Sequence, residues 1–222
     1  MPAQPTVFGP ISARGFLFDM DGTLLDSTAP MLRVWGNWCQ RRGVNAATFI
    51  PTIHGLRASE SIGALKLPGI DPQVEAQWIE KMEVEDVDGV VPIGGVLALL
   101  EALPRESWAI VTSAPIRLAR ARLAAAGIPL ADIMVVGEDV RRGKPDPACF
   151  LLGAERLGLT AKDCIAFEDA PAGIASAEAA GARVVVITAT HHQPHQGPQQ
   201  RLHDYHGVRV ESHAAPVVTL RR

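Results

Sequence analysis

Short apolar runs of strand length, each stopping against polar or turn-forming residues, recur along this chain, and no other feature restricts its fold so tightly. Gly15 to Phe18 ends at Asp19, with Asp21-Gly22-Thr23 just beyond. Ser107 to Val111 ends at Thr112-Ser113 and is followed by a helical pattern from Pro115 to Ala126, with Gly127 as its C-cap. Ile133 to Val136, Pro147 to Leu157, Cys164 to Phe167, Pro171 to Ala180 and Arg183 to Ile187 continue the strand and helix alternation. Such βα units predict an α/β fold, a parallel sheet covered by helices on both faces.

The rhythm breaks between Ala29 and Val90, where helical patterns replace buried strands and three of the four tryptophans fall. Linker-like flanks, Ser27-Thr28-Ala29-Pro30 and Val91-Pro92-Ile93-Gly94-Gly95, predict an inserted α-helical domain over 29–90 in a core of 1–28 and 91–222. The polar tract His191 to Gln200 predicts a surface loop before a last strand near Val208 to Val210.

Composition removes several classes of function. With 21 basic and 24 acidic residues the formal charge is −3, so the chain has no net positive field for nucleic acid or an anionic membrane. Cys39, Cys149 and Cys164 are an odd number without metal-site spacing, which predicts reduced thiols. No basic segment leads into an apolar stretch at the start, and no run of about 18 apolar residues follows, so a cytoplasmic protein is expected.

The polar signals stand directly after the apolar runs, and open parallel sheets bind ligands at the carboxyl ends of their strands. Asp19 and Asp21, two positions apart in extended chain, face the same side, with Gly22 allowing a sharp turn. Two carboxylates there suit either a hard divalent cation such as magnesium or a turn or helix-capping pair. Asp169 can supply a further ligand. Glu168 beside it can act through a bound water or make only local hydrogen bonds. Thr112 suits an N-cap or an anion ligand, and Lys144 a solvated loop charge or a charge stabiliser.

FLFDMDGTLLDS, IVTSA, RGKPDP and FEDAPAG, in that order, resemble the four motifs of haloacid dehalogenase superfamily phosphatases that carry a helical cap after the first motif. The resemblance covers nearly the whole chain and implies a Rossmann-like core. It implies Asp19 as nucleophile, Asp21 as general acid and base, Thr112 with Ser113 as phosphate ligands, and Lys144 as basic stabiliser. It also implies Mg2+ as cofactor, on Asp19, Asp169 and the backbone carbonyl of Asp21, with Glu168 nearby. Within the family the chain looks most like sugar-phosphate, glycerol-phosphate and deoxyglucose-phosphate phosphatases, so the expected partner is a small phosphate monoester of a hexose, hexitol or polyol, hydrolysed through an aspartyl-phosphate. A sugar phosphomutase of the same superfamily and a non-catalytic phosphometabolite-binding regulator are the alternatives.

In the insert, His54-Gly55-Leu56-Arg57 resembles the cap loop that closes over substrate in relatives, so His54 and Arg57 are expected to contact it. Trp35 and Trp38, three apart, predict a buried stripe of the cap, and Glu83, Glu85, Asp86 and Asp88 predict a solvated face. His191, His192 and His195 lie in a polar loop with little rigidity for a metal. A monomer or weak homodimer is expected.

Overall fold

A computed structural model describes residues 9–191, 193, 195–212 and 217–222. In chain order they form β1 (Ile11–Ala13), β2 (Gly15–Phe18), β3 (Leu25–Asp26), α1 (Thr28–Arg42), α2 (Ala46–Phe49), α3 (Ala58–Ala64), α4 (Pro72–Glu85), β4 (Val91–Pro92), α5 (Val96–Ala102), β5 (Trp108–Val111), α6 (Ile116–Ala125) and β6 (Met134–Val135). Then follow α7 (Ala148–Arg156), β7 (Cys164–Glu168), α8 (Pro171–Ala179), β8 (Arg183–Ile187), β9 (Gln200–Leu202), β10 (Arg209–Ser212) and β11 (Val218–Arg221).

The main sheet runs β6-β5-β2-β7-β8-β9, every pairing parallel. Alternation along β2 explains how one strand serves two layers. Phe16 and Phe18 face a cluster with Leu99 and Leu100 of α5 and Leu118 and Leu123 of α6, whereas Leu17 faces Phe150 and Ala154 of α7 and Ala177 of α8. Because β2 is buried on both sides, nearly every residue must be apolar, which is why GFLF reads as a continuous run. The chain leaves β2 toward β5 and β6 on one side and returns to β7, β8 and β9 on the other, so the sheet's switch point lies at the end of β2.

Between β3 and β4, which pair antiparallel, lie helices α1 to α4. They carry their own apolar cluster, with Trp35, Trp38, Phe49, Ile62 and Ile79 buried together. Helix α1 ends in Arg41-Arg42 and is stopped by Gly43 in the left-handed conformation; Asp71 caps α4 by accepting from the amides of Gln73 and Val74. The tryptophan pair thus packs as a stripe, as its three-residue spacing predicts, with rings 5.8 Å apart.

The strand expected near Val208 to Val210 forms as β10, after a polar segment that ends where β9 begins at Gln200, but it is followed by β11 and so is not the last. The chain past His191 returns to the main sheet as β9, with Val185 opposite Gln200, before a small antiparallel sheet of order β1-β11-β10 forms from the two ends of the described chain. The pairing of β1 with β11 was not legible, since both are short and acquire it only from partners about 200 residues away. No helix among the described residues is long and apolar enough to cross a membrane.

Candidate active site

Asp19 directly follows β2, and its amide still donates to the carbonyl of Phe167, so the sheet ladder fixes its backbone. Its carboxyl is buried, and Lys144 Nζ donates to its Oδ1 at 2.6 Å. The same ammonium donates to Glu168 Oε1 at 2.7 Å and to the Val111 carbonyl at 3.1 Å. Lys144 is 1% exposed, so it is no solvated loop charge: the ends of three strands converge on it. Burial opposes its charge, but the Asp19 and Glu168 carboxylates outweigh that and hold it protonated well above the usual lysine range.

Glu168 ends β7. Its Oε2 accepts from the amides of Asp169 and Ala170, at 2.8 and 2.9 Å, beneath the start of α8. A Cβ at Gly173 would lie 1.5 Å from Glu168 Oε1, so only glycine lets the helix pass over this carboxylate. Gly22 serves the neighbouring residue likewise: its φ is +81°, and a Cβ there would sit 2.1 Å from Asp169 Oδ2.

Asp19, Glu168 and Asp169, all buried, bring carboxylate oxygens within 4.8 Å of one another. Burial first, then repulsion from Glu168 and Asp19, raises Asp169 well above the usual carboxylate range. Burial raises Asp19 to about 8 although Lys144 pulls the other way. Three buried carboxylates against one ammonium leave excess negative charge, and a hard, oxygen-seeking divalent cation such as magnesium fits that donor set. The local hydrogen bonds to Lys144, Asp169 and Ala170 engage both oxygens of Glu168.

Asp21 lines the same cavity as Asp19, as expected, but its carboxylate is engaged apart from that of Asp19. Its Oδ1 accepts from Ser27 Oγ at 2.6 Å and from Arg122 Nη1 at 2.9 Å, and its carboxylate is outside the three-carboxylate cluster. The turn after β2 is the reason: the Leu24 and Leu25 amides both donate to the Met20 carbonyl, so the chain is no longer extended there.

Thr112 is buried past β5, and its Oγ1 accepts from the Ala114 amide at 3.1 Å, leaving its own proton for a ligand oxygen. Ser113 Oγ donates to the Gly55 carbonyl at 2.8 Å, which ties the insert's loop to the sheet. A cavity of about 610 Å³, a volume suited to a small metabolite, opens over Asp19, Asp21, Thr112, Ser113 and Asp169. The insert supplies its opposite wall with Met31, Trp35, Ile53 and His54. Burial, then nearby His191, lowers the pKa of His54, so it faces the cavity as a neutral ring.

Arg57 does not line the cavity. Its guanidinium donates to the carbonyls of Val140, at 2.7 Å, and Arg141, at 3.3 Å, and Glu60 accepts from the Gly143 amide at 2.9 Å. The expected substrate contact is therefore corrected to a clamp on the loop that carries Lys144. Glu83 is corrected too: far from solvated, it is 5% exposed, and its Oε1 stands 3.0 Å from Arg122 Nη2. Helical periodicity hid it, because from this acidic run α4 turns Glu83 inward, as it does Glu75 further back, while Glu85 pairs with exposed Lys81 and Asp86 with Arg33. His191 lies in the site, with Nε2 2.9 Å from the Asp169 carbonyl; His192 falls outside the described residues.

Sequence reasoning passed over Ser27 and Arg122. Arg122 had one available signal, since Leu118, Ala119, Arg122 and Leu123 share a helix face and the other three are apolar.

The family model described as haloacid dehalogenase-like hydrolase matches residues 13–181. Hexitol phosphatase A of Escherichia coli (strain K12) is 40% identical over 180 residues, covering 79% of this chain and 83% of that protein. Validoxylamine A 7'-phosphate phosphatase of Streptomyces hygroscopicus subsp. limoneus is 32% identical over 183 residues, covering 79% and 85%. A solved hydrolase from Pseudomonas syringae superposes with a TM-score of 0.72 at 26% identity, covering 81% of this chain and 86% of that one.

Proposed function

This chain belongs to the haloacid dehalogenase-like hydrolases, and on that premise we propose that it is a phosphoric monoester hydrolase acting on hexitol, hexose or polyol monophosphates through an aspartyl-phosphate. The observation that carries the reading is the buried Asp19 carboxylate at the switch point of the sheet, held by Lys144 at 2.6 Å and facing a metabolite-sized cavity.

A carboxylate attacks a phosphate dianion only when negative charge is masked and the atoms are aligned. Asp19 is aligned by its backbone bond to the sheet and by Lys144, and Lys144 also places fixed positive charge beside the transferred group. Thr112 directs a hydroxyl, with the Ser113 amide beside it, to a phosphate oxygen. A bond forms from a carboxylate oxygen of Asp19 to phosphorus while the bond to the sugar oxygen breaks, and Asp21 gives that oxygen its proton. Asp21 then takes a proton from water, whose oxygen attacks phosphorus and releases phosphate and Asp19. Magnesium on Asp19, Asp169 and the Asp21 carbonyl, with Glu168 behind, neutralises charge on the clustered carboxylates and the phosphate when bound.

The helical insert, 29–90, acts as the cap that excludes water and selects the leaving group. His54 contacts the leaving group from the cap wall.

The test is phosphate release from hexitol, hexose, polyol and nucleoside monophosphates with magnesium, by the native chain and by Asp19→Asn. Turnover that favours hexitol or sugar phosphates and is abolished in the variant is expected. Turnover surviving in Asp19→Asn overturns the nucleophile, and sugar-phosphate isomerisation without phosphate release selects the phosphomutase reading.

A further inference from the structure

The guanidinium of Arg122, 6% exposed in the cavity wall, joins two acids from different layers of the protein. Nη1 donates to Asp21 Oδ1 at 2.9 Å, and Nη2 stands 3.0 Å from Glu83 Oε1. Arg122 belongs to α6, which covers the sheet, and Glu83 to α4 of the helical insert. Ser27, the residue between β3 and the insert, donates to the same Asp21 oxygen at 2.6 Å. Two donors from different directions fix Oδ1, and Oδ2 of Asp21 carries no hydrogen bond among the described residues.

From this geometry we infer that Arg122 is a positioning residue that aims Asp21 Oδ2 at the oxygen of the departing group, and that Glu83 makes this alignment depend on the insert being docked. The inference rests on the acid and base role of Asp21 proposed above. A guanidinium is planar and rigid, so the ion pair between Nη2 and Glu83, made without hydrogen-bond geometry, still limits where Nη1 can lie. With Glu83 on the insert, this ion pair exists only while the insert packs on α6. When the insert lifts, Arg122 loses its second anchor and Asp21 its fixed orientation, so proton transfer is confined to the closed, water-excluding form.

A leaving-group comparison separates this role from a structural one. A hexitol alkoxide needs a proton to depart, whereas p-nitrophenolate does not, so misaligning the general acid slows phosphoryl transfer from the first substrate selectively. In rapid-mixing single-turnover measurements with magnesium, Arg122→Met is expected to slow transfer from a hexitol phosphate about 100-fold, with KM moved less than about threefold. The initial burst of p-nitrophenolate from p-nitrophenyl phosphate is expected to stay within about threefold. Glu83→Gln is expected to show the same selectivity at about tenfold. Equal slowing of both substrates, or a rise in KM at constant kcat, overturns the inference. Should Arg122→Met fail to fold, the neutral pair Arg122→Met with Glu83→Leu removes both buried charges and is read the same way. Asp21→Asn is the control. Selectivity in Asp21→Asn but not in the Arg122 variants sinks this inference alone, and its absence in Asp21→Asn sinks the assignment of Asp21 itself.

Discussion

The ammonium of Lys144 stands 2.6 Å from Asp19 Oδ1, with both groups buried at the carboxyl ends of the central strands. Glu168 shares that ammonium at 2.7 Å, so one buried cation balances two carboxylates at the floor of the cavity.

Lys144→Met should therefore be costly twice over. Leaving Asp19 and Glu168 without their counter-charge is expected to destabilise the fold by about 3–5 kcal/mol. Phosphatase activity should fall about a thousandfold or more, as the fixed positive charge at the reacting centre is lost. Urea unfolding and phosphate release measured on the same preparation check both; unchanged stability would contradict the buried pairing.

Gly22→Ala tests the close approach to Asp169. The added Cβ would meet Asp169 Oδ2 at 2.1 Å on a backbone with φ of +81°, so either the turn or the carboxylate must move. We expect magnesium to bind at least about tenfold more weakly, read as a reduced rise in melting temperature on adding magnesium. An undiminished rise would show that Asp169 is free to adjust.

Arg57 reaches two carbonyls of the loop that carries Lys144 with two separate nitrogens of its planar fork, a geometry a lysine does not reproduce. Arg57→Ala is expected to lower kcat/KM about tenfold, and Arg57→Lys to recover little of it. Full activity in Arg57→Lys would point to a simple charge requirement and away from the clamp.

The pairing of α1 with α4 gives the insert a definite acid sensitivity. Glu75 accepts from Nε and Nη2 along one edge of the Arg42 guanidinium and, at 2.7 Å, from Trp38 Nε1, and these bonds, those from Arg42 first, pull its pKa below the ordinary 4.5. The native value is the lower one. The stabilisation is therefore complete above about pH 4.5 and is lost as the pH falls through the native value. Glu75→Gln should cost about 1.5–3 kcal/mol at neutral pH and flatten stability across that acid window, as followed by tryptophan fluorescence during unfolding. An identical acid profile in the variant would exclude Glu75 as the group responsible.

What the sequence determined by itself was whatever depends on neighbours along the chain. Buried parallel strands must be apolar throughout, so Gly15 to Phe18 and Arg183 to Ile187 were legible to the residue, and Asp19, Thr112 and Asp169 drew notice by standing next to such runs. Side-chain destinations were not local, and only the tertiary structure decided them. Asp21 paired with Arg122, 101 positions away, Arg57 reached across 83 positions to Val140, and Glu83 went inward to meet a charge on another helix. A charged side chain reads as solvated until its partner is known. The burial of Glu83 and Arg122 is tolerable only because folding brings each the opposite charge, and although apolar neighbours mark the face of Arg122 as buried, nothing beside either residue names its partner.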